Sequence, residues 1–349
     1  MYEYVGAIHI HSVFSDGSGE IPEIAMFAEE TGLDYILVTD HNTVRGINEG
    51  YEKWYGKTLV LIGYEINDRK NQNHYLAFDT KKTYSTRLPA REYVKRINED
   101  GGFGFIAHPH EKRSSLKEHP PYPWTDWDCE DYTGIEIWNH MSEWMEGLTE
   151  QNKFNYFIHP LKSIITPFQE TLEKWDNVNL ERRVVGIGGV DAHAHKVNIL
   201  GFFEFEVFSY KILFKSIRTH ILTEKELVVS NEPADMDKSR IQVYNALKEG
   251  RCFISNYYHG DAKSFRFYAE DEANQYQMGD SLKLTRNTYL KVELPDKPAV
   301  IKLIYNGRKI EEIENFKAIF QVDSPGIYRV EVFLNNNAWI FSNHIRIQQ

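Results

Sequence analysis

The sequence predicts a mixed α/β fold built on a mostly parallel sheet, open or closed into a barrel, followed by a small all-β sandwich. Three observations predict it. Apolar strand-like runs alternate with amphipathic helical patterns as far as about residue 256. Short polar clusters rich in histidine close several of those runs. From Lys263 onward only short alternating segments remain, separated by turn residues.

Tyr4 to Ile10 reads as a strand, Ile21 to Glu30 as an amphipathic helix, Tyr35 to Val38 as a buried strand and Leu59 to Tyr64 as another. A helix from about Pro89 to Asp100 is closed by Gly101-Gly102. Strands follow at Phe103 to Ala107 and Gly134 to Trp138, then helical sequence from Met141 to Lys174 and a strand at Val184 to Val190. A further helix ends at Leu247-Lys248-Glu249-Gly250.

The β region is read as strands at Phe265 to Tyr268, Tyr289 to Leu294, Val300 to Tyr305, Ala318 to Val322, Ile327 to Phe333 and Trp339 to Ile347. Asn306-Gly307, Ser324-Pro325-Gly326 and Asn335-Asn336-Asn337 supply the turns. A length of 349 residues favours two domains, set here at residues 1–258 and 259–349.

A net charge of -11 argues against a broad nucleic-acid surface or an anionic-lipid surface, since both need clustered Lys and Arg. The chain opens directly on a strand-like segment and has no long apolar run, so the expectation is a cytoplasmic protein without a membrane span. Cys129 and Cys252 lie far apart and form no CxxC pair, which points to buried thiols. Nothing in the sequence sets the oligomeric state.

Histidine carries the functional signal. His9 and His11 end the first strand in Ile8-His9-Ile10-His11, and a period of two puts both imidazoles on one face. Asp16 follows in Ser15-Asp16-Gly17. His41 closes Thr39-Asp40-His41, Glu65 closes Gly63-Tyr64-Glu65, and His74 opens Asn73-His74-Tyr75. His108 closes the run ending Ala107-His108-Pro109, and Asp191 with His193 closes the run ending at Val190. Parallel β/α folds gather the C-terminal ends of their strands at one face, where sites are built. Six histidines and three carboxylates there exceed the ligands of one catalytic ion, so more than one divalent ion is expected. Imidazole and carboxylate without thiolate suit Zn, Mn or Fe.

His9-x-His11 with Ser15-Asp16-Gly17, Thr39-Asp40-His41, Glu65, Ala107-His108-Pro109 and Asp191-x-His193 resemble the signature of the PHP (polymerase and histidinol phosphatase) superfamily. The motifs run in family order over roughly residues 1 to 256. The trailing region, with Met278-Gly279-Asp280 and the run from Gly326 to Phe333, resembles the appendage of a carbaryl-hydrolase-like branch. The resemblance implies a distorted (β/α)7 TIM-like barrel. It also implies a first ion held by His9, His11, Glu65 and Asp191, a second by Glu65, His74 and His108, and a third by Asp16, His41 and His193.

Other polar residues lie beside this shell. Asp40 is read either as a carboxylate orienting His11 or His41 or as a loop cap. Glu136 and Asn139 are read as supporting or substrate-facing groups, and His195 as a pocket residue. His110, Lys112, Arg113 and Arg45 lie just beyond strand ends and are candidates to meet a phosphate. His110 and Arg113 are favoured as catalytic groups alongside Glu65 and Asp191.

The expected function is a metal-dependent hydrolase, foremost a phosphoesterase using a metal-bridging hydroxide to cleave a small phosphorylated metabolite, nucleotide or oligonucleotide end. The expected partner is thus a small anionic substrate. Two alternatives stand beside it: a carbamate, ester or amide hydrolase with the same ions, and a ligand-binding module with a structural metal site.

Overall fold

The computed structural model describes residues 1–115, 120–194, 196–199, 203–206 and 208–349, with the backbone alone for 196–199 and 203–206. It is a mixed α/β fold followed by a sheet-rich region. Helix Ile21–Glu30 begins with a proline in its first turn, where the missing N–H costs nothing. It buries Ile21, Ile24, Ala25 and Ala28 along one stripe. Helix Ala90–Glu99 repeats the pattern with Ala90, Tyr93, Val94 and Ile97. Helix Pro233–Glu249 stops at Gly250, whose φ of 75° suits a residue without a Cβ. No helix among the described residues is long and apolar enough to cross a membrane.

The expected helical stretch from Met141 to Lys174 is broken into His140–Gly147, Lys153–Ile158, a 3-10 turn at Pro160–Ser163, and Gln169–Glu181. Pro160 and Pro167 lack the N–H that a continuous helix would use. The expected strand from Trp339 to Ile347 is also two, Asn337–Ser342 and Ile345–Gln348. Between them Asn343 leaves the ladder to accept from Gly186 N (2.7 Å) and donate to Gly186 O (2.8 Å) and Cys252 O (2.9 Å). The amide thereby satisfies three buried backbone groups.

The pairing does not form one closed ladder of seven strands among the described residues. It resolves into two sheets around the N-terminal core. The first runs from Lys53–Tyr55 through Thr58–Ile62, Tyr35–Val38 and Tyr2–Ile10 to Ile217–Thr223 and Cys252–Asn256. The second orders Tyr64–Ile66, Tyr75–Phe78, Phe103–Ile106, Gly134–Asn139 and Val185–Gly189. Isolated bridges Ile10↔Ala192 and His41↔Glu65 join the two. The sheets are also less parallel than expected. Ile217–Thr223 pairs antiparallel to Tyr2–Ile10, and Tyr75–Phe78 is antiparallel to both of its neighbours. That reversal brings His74, at the start of its strand, to the same end as residues that finish theirs.

The first sheet continues past residue 258, because Cys252–Asn256 pairs with Asn337–Ser342. Beyond it, Gly326–Leu334, Ile345–Gln348 and Ser281–Lys283 extend the sheet, and Ala299–Tyr305 with Arg308–Asn315 branch from it. A separate four-stranded sheet (Gln275–Gln277, Arg266–Glu270, Tyr289–Glu293, Lys317–Gln321) packs against this face through Phe267, Leu290, Val292 and Phe320. Their core partners include Ile301, Val330, Val332 and Ile347. A buried ion pair ties this region to helix Gln169–Glu181. Arg329 donates to both Asp176 oxygens (2.7 and 2.8 Å), and His344 Nε2 lies 2.7 Å from Oδ1.

Candidate metal centre

All nine side chains expected to hold ions meet at one end of the two sheets. His9 and His11 come from the end of the first strand and the residue after it, and a register shift between Ile8 and Ile10 lets both reach inward. His9 has φ 68°, His108 φ 26° and Asp191 φ 53°, a left-handed backbone that L-residues adopt only when the surroundings enforce it.

Glu65 lies at the middle. Its Oε2 faces His9 Nε2 (3.1 Å), His11 Nε2 (3.2 Å) and His41 Nδ1 (3.4 Å). Its Oε1 faces His74 Nδ1 (2.6 Å) and His108 Nε2 (3.4 Å). Asp191 Oδ1 completes the first side at 3.3 Å from His9 and 3.4 Å from His11. A third set gathers around Asp16, with His11 Nδ1 at 3.5 Å, His193 Nε2 at 3.4 Å and His41 Nε2 at 3.6 Å. Tetrahedral ligands about 2.0 to 2.1 Å from an ion stand about 3.3 Å from one another, which matches most of these separations.

Four overlapping groups have metal-ligand spacing: His9, His11 and Asp191; His9, Glu65 and His108; His41, Glu65 and His74; and His11, Asp16, His41 and His193. His74 and His108 both face Glu65 Oε1 but fall into different groups. Both ring nitrogens of His11, His74 Nε2 and His108 Nδ1 are buried without a hydrogen-bond partner. Polar atoms in that state need a further partner, so the donor set fits divalent ions.

Electrostatics within the cluster agree. Burial alone would lower the pKa of His11 and His108, yet carboxylates overcome it and hold both up at about 9. The carboxylates responsible are Asp191 and Glu65 for His11, and chiefly Glu65 for His108. Burial would likewise raise Glu65 and Asp191, and the surrounding histidines drive both well below the usual range. His41 moves the other way, to about 4, because burial outweighs Glu65. Protons on these histidines stand where cations would bind.

The flanking residues divide. Asp40 is a loop cap: it accepts from Ser12 N, Ser12 Oγ and Ser15 Oγ, each at 2.7 Å, and so shapes the turn that presents Asp16. His110 is engaged with Thr171 Oγ1 (3.0 Å) and stacks on Trp127 at 5.3 Å, outside the four donor groups. Arg113 donates to Glu111 through Nε (3.2 Å) and Nη2 (2.8 Å) and lies 4.8 Å over the Tyr122 ring. Tyr122 in turn stacks on His74 at 5.2 Å. Lys112 pairs with Glu170 and Arg45 with Glu49. His195 lies outside the described residues. Tyr122 and Glu111 escaped the sequence reading, and the only local signal was the rigid Pro120-Pro121-Tyr122-Pro123 run.

The family model of the PHP domain matches residues 7–119, a segment that spans His9 to His108. This stretch of the chain is similar to the PHP domain. An uncharacterized protein of Methanocaldococcus jannaschii is 28% identical over 116 residues, covering 30% of this chain. The match spans 66% of that relative, just under two thirds of its length. A two-domain Bacteroides vulgatus protein, said to contain a predicted PHP-like metal-dependent phosphoesterase, aligns over 98% of this chain and 95% of its own. Its TM-score is 0.47 and its identity 15%. A Chromobacterium violaceum amidohydrolase with bound sulfate and no metal aligns over 54% of this chain and 87% of its own, with a TM-score of 0.33 and 13% identity.

Proposed function

We propose that this chain is a metal-dependent hydrolase that cleaves a small phosphoester and holds two or three divalent ions, Zn, Mn or Fe. One observation carries the reading: the two oxygens of Glu65 face different histidine pairs, His9 with His11 and His74 with His108. A carboxylate so placed is suited to bridge two cations. Bound ions would supply an activated water and a Lewis-acid hold on the ester oxygens.

The chain's own groups support an anionic substrate. Asp16, Glu65 and Asp191 offset only about half of the roughly +6 brought by three divalent ions, so the loaded site attracts anions despite the acidic surface. Asp16 and His41 are the part-exposed members of the cluster and mark the side of approach. Arg113, paired with Glu111 and lying over Tyr122, which stacks on His74, is a candidate to meet a phosphate.

The test is a panel of phosphomonoesters, phosphodiesters, carboxyl esters, carbamates and amides, assayed with metal-free protein and after adding back Mn, Zn or Fe. The expected result is metal-dependent release of phosphate or cleavage of a phosphodiester. Turnover confined to carboxyl esters, carbamates or amides would reject the phosphoester assignment and retain the hydrolase.

A further inference from the structure

Glu136 lies on strand Gly134–Asn139, buried behind the cluster and outside every donor group. Its Oε1 stands 2.9 Å from His9 Nδ1. Its Oε2 accepts from the backbone N–H of His108 (2.8 Å) and from Asn139 Nδ2 (2.9 Å). Asn139 is itself fixed, since its Oδ1 accepts from Ser142 N at 2.8 Å and caps helix His140–Gly147. A Cβ on Gly189 would collide with Glu136 Oε1, so the neighbouring strand leaves room for this carboxylate by carrying glycine.

Resting on the metal-centre reading above, we infer that Glu136 is a positioning residue that sets two ligand histidines at once. As an acceptor at His9 Nδ1 it requires the proton there, which leaves the Nε2 lone pair facing Glu65 and Asp191. Its other oxygen holds the left-handed backbone of His108, from which the imidazole reaches Glu65 Oε1. His9 and His108 come from different strands, so one buried carboxylate keeps both donors in register.

Glutamine cannot take over all three contacts. An amide nitrogen at the Oε2 position would face two donors, His108 N–H and Asn139 Nδ2. At the Oε1 position it would donate to His9 Nδ1 and move the ring proton to Nε2, into the cluster. Glu136→Gln keeps the volume and should weaken zinc binding about 10- to 100-fold.

The experiment titrates zinc into metal-free wild type and E136Q, with circular dichroism to confirm folding. It also records nitrogen-proton correlation spectra of the histidine rings in zinc-loaded wild type. The expected outcome is weaker zinc uptake by folded E136Q, with wild-type His9 bound through Nε2 and protonated at Nδ1. Unchanged zinc affinity in folded E136Q, or wild-type His9 bound through Nδ1, overturns the assignment. If E136Q does not fold, the wild-type spectrum alone decides it. Wild type that takes up no zinc defeats the metal-centre reading itself.

Discussion

Asp16 Oδ2 stands 3.4 Å from His193 Nε2 while half of the Asp16 side chain remains exposed, in contrast to Glu65, which is buried. The three groups built around Glu65 and Asp191 consist of buried residues apart from His41, whereas the Asp16 group opens to solvent. An ion in the open group should therefore exchange first. Brief treatment of loaded protein with a chelator is expected to strip metal in two phases, and Asp16→Asn should abolish the fast one. Loss of all metal in a single phase from wild type would count against separable sites.

Glu65→Gln and Asp191→Asn each remove an anionic donor at nearly constant volume. Both variants should fold, bind less metal and lose turnover by orders of magnitude. Glu65→Gln should be the more damaging, because Glu65 faces both histidine pairs and Asp191 faces His9 and His11. Near wild-type turnover at full metal occupancy in either variant would show that the donor set is wrong.

The metal-free protein should lose stability as the solution becomes alkaline. His11 and His108 have pKa values near 9 in the fold against about 6.5 unfolded. A raised histidine stabilises the fold fully below pH 6.5, and the gain disappears as pH rises through 9. Each contributes at most about 3 kcal/mol. Thermal melts at pH 6.5, 8 and 9.5 should show a falling Tm without metal and a smaller fall with zinc bound. Zinc uptake in the same window should release protons, measurable as buffer-dependent heat. A metal-free Tm that is flat across that range would contradict the assigned proton occupancy.

Arg329→Met tests the link between the two regions. It leaves the Asp176 carboxylate buried with the His344 imidazole, whose own pKa burial lowers, as its remaining partner, a change expected to cost about 3 to 5 kcal/mol. Metal stoichiometry should stay unchanged in the folded variant, since every proposed donor lies between His9 and His193. Cutting the chain near residue 258 is a harsher form of the same test, because it also unpairs Cys252–Asn256 from Asn337–Ser342 and strips Phe341 from Trp138. Loss of metal from folded Arg329→Met would place part of the site's support in the C-terminal region.

How far the sequence could be read depended on the range of the interactions. Helix Ile21–Glu30 and strand Tyr35–Val38 have the bounds their local periodicity indicates. Histidines and carboxylates following apolar runs marked the cluster, because a strand end is a local signal. The antiparallel course of Tyr75–Phe78 and the pairing of Cys252–Asn256 with Asn337–Ser342 have no local signature; partners distant in sequence decide them. Asp40 shows the same limit on a smaller scale. Its neighbour His41 suggested an orienting role, and only the turn geometry brought Ser12 and Ser15 to it.

The left-handed backbone at His9, His108 and Asp191 bears on any attempt to graft this centre onto another scaffold. Copied onto regular strands, each His-x-His or Asp-x-His pair would keep both side chains on one face of the pleat, about 7 Å apart along the strand. The transplanted donors would then point along different vectors from the ones they have here. A working graft has to import the irregular strand ends as well, together with the neighbouring glycine that gives Glu136 its space.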